Sequence, residues 1–133
     1  MPTDALVSGL TRILILDSRT LSGQDVAKKL NEALPLEILV VETSFEAGIM
    51  TQRFCPHIMI VNLHATGVDA SQICQTIRSL EEFETMKIMA LAGHLSESEC
   101  TALLEKGFDD YILDAMDISL ISQKIQNSVA LIY

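Results

Sequence analysis

Five short apolar runs recur along the chain, each followed by a stretch whose apolar residues fall at helical spacing. The runs are RILILD (Arg12–Asp17), LEILVVET (Leu36–Thr43), HIMIVNL (His57–Leu63), KIMALAG (Lys87–Gly93) and DYILD (Asp110–Asp114). Their apolar residues are consecutive rather than alternating, the mark of strands covered on both faces. Such strands pair in parallel, because a parallel connection needs a crossover long enough to lay a helix on the sheet. The chain is therefore predicted to be an α/β domain, a doubly wound five-stranded parallel sheet.

The helical stretches carry their own start and stop signals. LSGQDVAKKLNEAL aligns Leu21, Val26, Leu30, Ala33 and Leu34, and Pro35 ends it. SFEAGIMTQRF reads as a shorter helix with Ser44 as N-cap, closed before Pro56. DASQICQTIRSL sets Ile73, Ile77 and Leu80 at helix spacing, with Asp69 as cap. In LSESECTALLEKG, Ser96 and Glu99 form a capping box and Gly107 stands at the left-handed C-cap position. The last helix starts near Asp117 and runs through Ile121, Ile125, Val129 and Ile132.

Composition narrows the functional classes. The 133 residues suit one domain with a core of its own, and they contain no repeat or low-complexity segment. A net charge of −9, with no cluster of Lys and Arg, speaks against direct nucleic-acid binding and against a membrane surface. No apolar run reaches the roughly 18 residues of a membrane span. MPTDALVSGL lacks the basic flank and apolar core of a signal peptide, so a cytoplasmic location is expected. Cys55, Cys74 and Cys100 are scattered and odd in number, which argues for buried reduced thiols rather than a disulfide framework or zinc knuckle.

Doubly wound sheets present functional groups at the carboxyl ends of their strands. Here those groups are Asp17, Asn62, Ala92 and Asp114. The segments ILILDSR, PHIMIVNLHATGVDA, KIMALAG and GFDDYILDAMD, in that order and at those intervals, resemble the receiver domain of two-component response regulators. The likeness runs from about Arg12 to Ser128, nearly the whole chain. It implies a flavodoxin-like (CheY-like) fold, five βα units with strand order 2-1-3-4-5. It also implies a phospho-accepting aspartate, acids that hold magnesium, and a hydroxyl and a lysine that sense the phosphoryl group.

Carried over position by position, little of that machinery is present. Asp17 keeps the first acid, while Ser18 occupies the second acidic position. Asn62 stands at the phospho-acceptor position, Ala92 at the hydroxyl, Asp114 at the lysine and Ala115 at the proline after it. Tyr111 matches the family's switch aromatic. The losses have direct physical meaning. Phosphoryl transfer to a side chain needs an anionic oxygen nucleophile and cations that neutralise the moving group. A carboxamide is uncharged, with its lone pairs tied into amide resonance, so Asn62 is a poor attacker. Magnesium prefers charged oxygen ligands, and two of these are replaced, so its binding is expected to be weak or absent. An acid at the lysine position turns attraction for phosphate into repulsion worth about 4 kcal/mol at roughly 4 Å near a protein surface, before screening.

These residues support a receiver-like domain without phosphoryl chemistry, a protein-interaction module rather than an enzyme, with no catalytic residue, cofactor or metal ligand assigned. The expected partner is a signalling protein, docked on the face formed by the fourth helix, fifth strand and fifth helix around Tyr111, or a second copy in a homodimer. With no output domain in these residues, the domain acts alone or belongs to a longer protein. Other readings stand beside it. Asn62 serves a loop backbone group; Asp17 and Asp114 meet to hold a divalent cation; His64 and His94, with His57 at the opposite end of the sheet, are surface histidines or metal ligands. Tyr111 is either parked inward beside the small Ala92 or plainly half-buried. The tail SVALIY continues the last helix's core stripe or feeds a partner surface. At the level of function the alternatives are a small-ligand or divalent-metal sensor in the vacated pocket, and a conventional response regulator phosphorylated on another acid such as Asp17.

Overall fold

The computed structural model describes residues 10–17, 20–64, 68–113 and 117–132. Strands and helices alternate: β1 (Thr11–Leu16), α1 (Thr20–Ala33), β2 (Leu36–Val41), α2 (Ser44–Phe54), β3 (Ile58–Asn62), α3 (Ala70–Arg78), β4 (Lys87–Leu91), α4 (Glu97–Glu105), β5 (Asp110–Ile112) and α5 (Ile118–Ile132). A 3₁₀ turn, Glu81–Phe83, precedes β4; it carries no periodic signal and was not anticipated from the sequence. The sheet order is β2-β1-β3-β4-β5 with every pair parallel, the order that the resemblance implies.

Strand alternation sorts the consecutive apolar runs onto two faces. Leu14, Leu16, Met59, Val61, Ile88 and Ala90 form one core with Ala47, Cys74, Ile77 and Leu103 from α2, α3 and α4. Ile13, Ile15, Ile58, Ile60, Met89, Leu91 and Ile112 form the other with Val26 and Leu30 of α1 and Ile121 and Ile125 of α5. Each fully buried aliphatic side chain contributes roughly 1.5–3 kcal/mol. These two layers supply most of the gross stabilisation, and they account for the unbroken apolar runs Ile13–Leu16, Ile58–Val61 and Ile88–Leu91 in the central strands.

The helix boundaries bear out two predicted caps and correct one. Asp69 accepts from the Gln72 amide, and Ser96 and Glu99 form the full capping box. The cap of α2 is Thr43, not Ser44: its hydroxyl accepts from the Glu46 amide while its backbone is extended, and Ser44 is the first helical residue. The Thr43-x-x-Glu46 spacing carried that signal in the sequence. Gly107 adopts φ +109, and a Cβ there would lie 3.2 Å from Cys74 Sγ and 3.3 Å from Arg78 Cγ, so glycine is required twice over. Of the three cysteines expected to be buried, Cys74 is; Cys55 and Cys100 are half-buried, one at the α2 C-cap and one within α4.

Two arginines fasten the amino-terminal end of the sheet. Arg12 is 5% exposed, and its Nε and Nη2 donate to the carbonyl oxygens of Phe54 and Cys55 at 2.6–3.0 Å. Those are carbonyls that the end of α2 leaves without helical partners. Cys55 sits in the left-handed region at φ 51, a conformation that costs a non-glycine residue roughly 1–2 kcal/mol and that the guanidinium holds in place. Arg78, at the end of α3, donates to Gly107 O and Met86 O and pairs with Asp109, whose Oδ2 also accepts from the Ile88 amide.

Candidate functional site

The carboxyl ends of β1 and β3 bring Asp17 and Asn62 together. The last paired residues of these strands are Leu16 and Val61, so Asp17 and Asn62 follow at one level on neighbouring strands. Alternation places both on the face of Ile15 and Ile60. Asp17 is 0% and Asn62 2% exposed. The Asp17 carboxyl lies under the first turns of α1, close enough to Gly23 that a Cβ there would sit 3.4 Å from the Asp17 Cβ and 3.0 Å from Val40 Cγ1. The Asn62 Oδ1 accepts from the His64 amide at 2.9 Å, an Asx-type turn that carries the chain out of the strand. The one side-chain oxygen of Asn62 is thus engaged with backbone.

Ala92 is buried where β4 ends, its amide donating to Ile112 O. By alternation it shares the other face with Tyr111, which pairs with Ala90. Ser18, Asp114 and Ala115 lie outside the described residues, and with them the proposed meeting of Asp17 with Asp114. The side chains of 129–132 and Tyr133 lie outside as well.

Tyr111 is half-buried and tied on both flanks. Interaction with the Cys100 thiol of α4 pushes its phenol above the ordinary tyrosine value, with smaller contributions from burial and Asp110. Lys124 of α5 lies 5.7 Å from the ring centroid and reaches both carboxylate oxygens of Asp110 at 2.9 Å. Leu104 and Leu120, one helical turn from Cys100 and Lys124, are 50% and 39% exposed, and Leu113 just beyond β5 is 43% exposed. The face of α4, β5 and α5 therefore carries an aromatic with a cation over it, and each of these three segments also exposes a leucine. Cys100 and Lys124 were missed from sequence. The Cys100–Leu104 and Leu120–Lys124 spacings were there to read, but nothing local says that two helices flank one tyrosine.

The histidines divide as expected between the two ends of the sheet. His64 and His94 are exposed and both near Glu99, whose carboxyl is held below its usual range chiefly by the Ser96 amide and hydroxyl and slightly by the two imidazoles. Among the described residues no three His, Cys, Asp or Glu side chains gather in a metal-binding group. His57 accepts the Arg12 amide proton on Nδ1 at 2.9 Å, so its ring must stay neutral at that nitrogen. Burial, then the Arg12 charge, lowers its pKa. A lowered value means that its contribution to stability is complete above the unfolded value of about 6.5 and is lost as pH falls through the folded one. Urea midpoints at about pH 7.5 and pH 5 should therefore drop more for the native chain than for His57→Asn, whose Oδ1 replaces Nδ1 without titrating.

The architecture defines a class: a doubly wound, flavodoxin-type α/β domain with strand order 2-1-3-4-5. Within that class the fold is that of the response-regulator receiver domain. The signal receiver domain of a DNA-binding response regulator (merR) from Colwellia psychrerythraea superposes with a TM-score of 0.82 at 20% identity, covering 90% of this chain and 98% of that one. The chain is also similar to the sensor histidine kinase GacS of Pseudomonas protegens, 28% identical over 116 residues. A further relative is the phosphate regulon transcriptional regulatory protein PhoB of Rhizobium meliloti, 30% identical over 82 residues. These matches cover 84% and 62% of this chain but 12% and 36% of the two relatives' length. No family model matches. Among the described residues no helix is long and apolar enough to cross a membrane.

Proposed function

We propose that the chain is a receiver-like module of two-component signalling that has lost the phospho-acceptor and acts by docking onto another protein. It is a non-enzymatic domain of the cytoplasm whose partner contacts the face of α4, β5 and α5. The observation that carries the reading is Asn62: an amide at the end of β3, buried, its oxygen already accepting from the His64 backbone. The residues present fit magnesium poorly. Asp17 is a fully buried carboxylate, and Asn62 beside it offers a neutral oxygen that is engaged with backbone. Tyr111 together with the exposed leucines of α4, α5 and the end of β5 is of the composition that protein interfaces use at their centres, an aromatic anchor with aliphatic residues on the same face.

Intact-mass measurement after incubation with acetyl phosphate and magnesium tests the reading. No gain of about 80 Da, the mass of one phosphoryl group, is expected. A stoichiometric gain on Asp17 or any other strand-end residue would make this a conventional phosphorylated receiver. The docking face is tested separately by Tyr111→Ala, which should remove partners recovered from the native cell extract; because Tyr111 also packs against the core, Leu104→Ser at a half-exposed position should do the same with the thermal midpoint retained.

A further inference from the structure

A second surface, away from Tyr111, has the form of a binding groove. It runs between α2 and α3 with a volume of about 280 Å³. Its walls are Ala47, Gly48 and Thr51 on one side and Ile73, Thr76 and Leu80 on the other, and no wall residue carries a charge. Nothing lies within 4 Å of where a Gly48 Cβ would stand, so the middle of the groove is open. At about 100° per residue Phe45 follows Gly48 and Gln52 around α2, with Ile49 beyond it. Phe45 is 77% exposed and Ile49 40%, so the apolar surface continues over the rim. Exposed aromatic surface of that extent, continuous with a groove, marks an interaction site.

We propose that this groove docks a basic amphipathic helix of a partner protein. The charge pattern selects the occupant. Glu42, Glu46 and Asp69 flank the groove residues at one end and Glu81 and Glu82 at the other, all exposed. Arg53 is the exposed cation of α2. The chain as a whole carries −9, so a second copy would bring like charge to the same rim. A helix with an apolar stripe flanked by Lys or Arg satisfies both the uncharged walls and the acidic ends. From Ser44 to Gln52 the wall spans about 12 Å, enough for roughly two turns of such a helix.

Titration of the ¹⁵N-labelled full chain with three synthetic peptides of equal length tests this. One is an amphipathic helix of leucine and lysine, one has glutamate for lysine, and one has the lysine composition with its leucines scattered around the helix. The first should shift the amides of Gly48, Thr51, Ile73 and Thr76 and leave Tyr111 unmoved, with the other two binding at least about tenfold more weakly. Gly48→Phe, which fills open space, and Phe45→Ser, which touches no core, should each weaken binding by about tenfold with the thermal midpoint retained. Shifts spread over all acidic surfaces, equal binding of the scattered peptide, or unaltered affinity in both variants would overturn the proposal. So would self-association through this groove in sedimentation of the chain alone.

Discussion

Truncating Arg12 to alanine lowers the unfolding free energy by about 3 kcal/mol, read as a fall in the urea midpoint at unchanged slope. The side chain is almost fully buried and makes three donor contacts to the Phe54 and Cys55 carbonyls. Two effects oppose one another. Burying a guanidinium is costly, and Nη1 has no hydrogen-bond partner among the described residues. Removal, however, leaves two buried-side carbonyls unsatisfied at the end of α2 and releases the left-handed Cys55, each costing about 1–2 kcal/mol. The second effect wins, because nothing else replaces those donors. Arg12→Lys should recover less than half of the loss, since an ammonium lacks the planar fork that reaches both oxygens. An alanine variant as stable as the parent would show that the clamp contributes nothing.

Asn62→Asp destabilises the fold by about 3 kcal/mol at neutral pH, and the loss shrinks as the solution is acidified. The introduced carboxyl would stand beside Asp17 on neighbouring strands, both positions buried. Strands lie about 4.8 Å apart, and two like charges at roughly 5 Å with an effective dielectric near 20 repel by about 3 kcal/mol. The introduced group therefore titrates above the usual carboxylate range. A raised folded pKa means that stability is best below the unfolded value, near 4, and is lost as pH rises through the folded one. Equilibrium unfolding at about pH 7.5 and pH 5 measures the difference, with Asn62→Ala as control; that variant loses the bond to the His64 amide, about 1 kcal/mol, without pH dependence. Millimolar magnesium that stabilises the native chain itself, with Asn62 in place, would show that the pocket holds a cation after all.

Much of the architecture was legible because burial on both faces leaves consecutive apolar residues, and because Asp69, Ser96 and Gly107 cap by local chemistry that spacing reveals. Strand lengths were overestimated at their ends: β2 stops at Val41 and β5 at Ile112, since pairing, not hydropathy, sets where a strand ends. Asn62 was legible as a strand-end amide, and the loop-backbone bond weighed for it is present. What could not be read were the long-range partners. Arg12 looks like an ordinary strand-opening cation until α2 returns 42 residues later to offer its carbonyl. Cys100, Tyr111 and Lys124 meet only because β5 lies between two helices distant in sequence.

Both guanidinium fastenings sit where strands begin, at Arg12 beside Cys55 and at Arg78 beside Met86 and Gly107. The opposite rim, where Asp17 and Asn62 emerge, is free to change its loops without loosening the rivets that hold the sheet. A chassis anchored at one end leaves the other end open to rebuilding, and an engineer grafting a recognition loop should work from that rim.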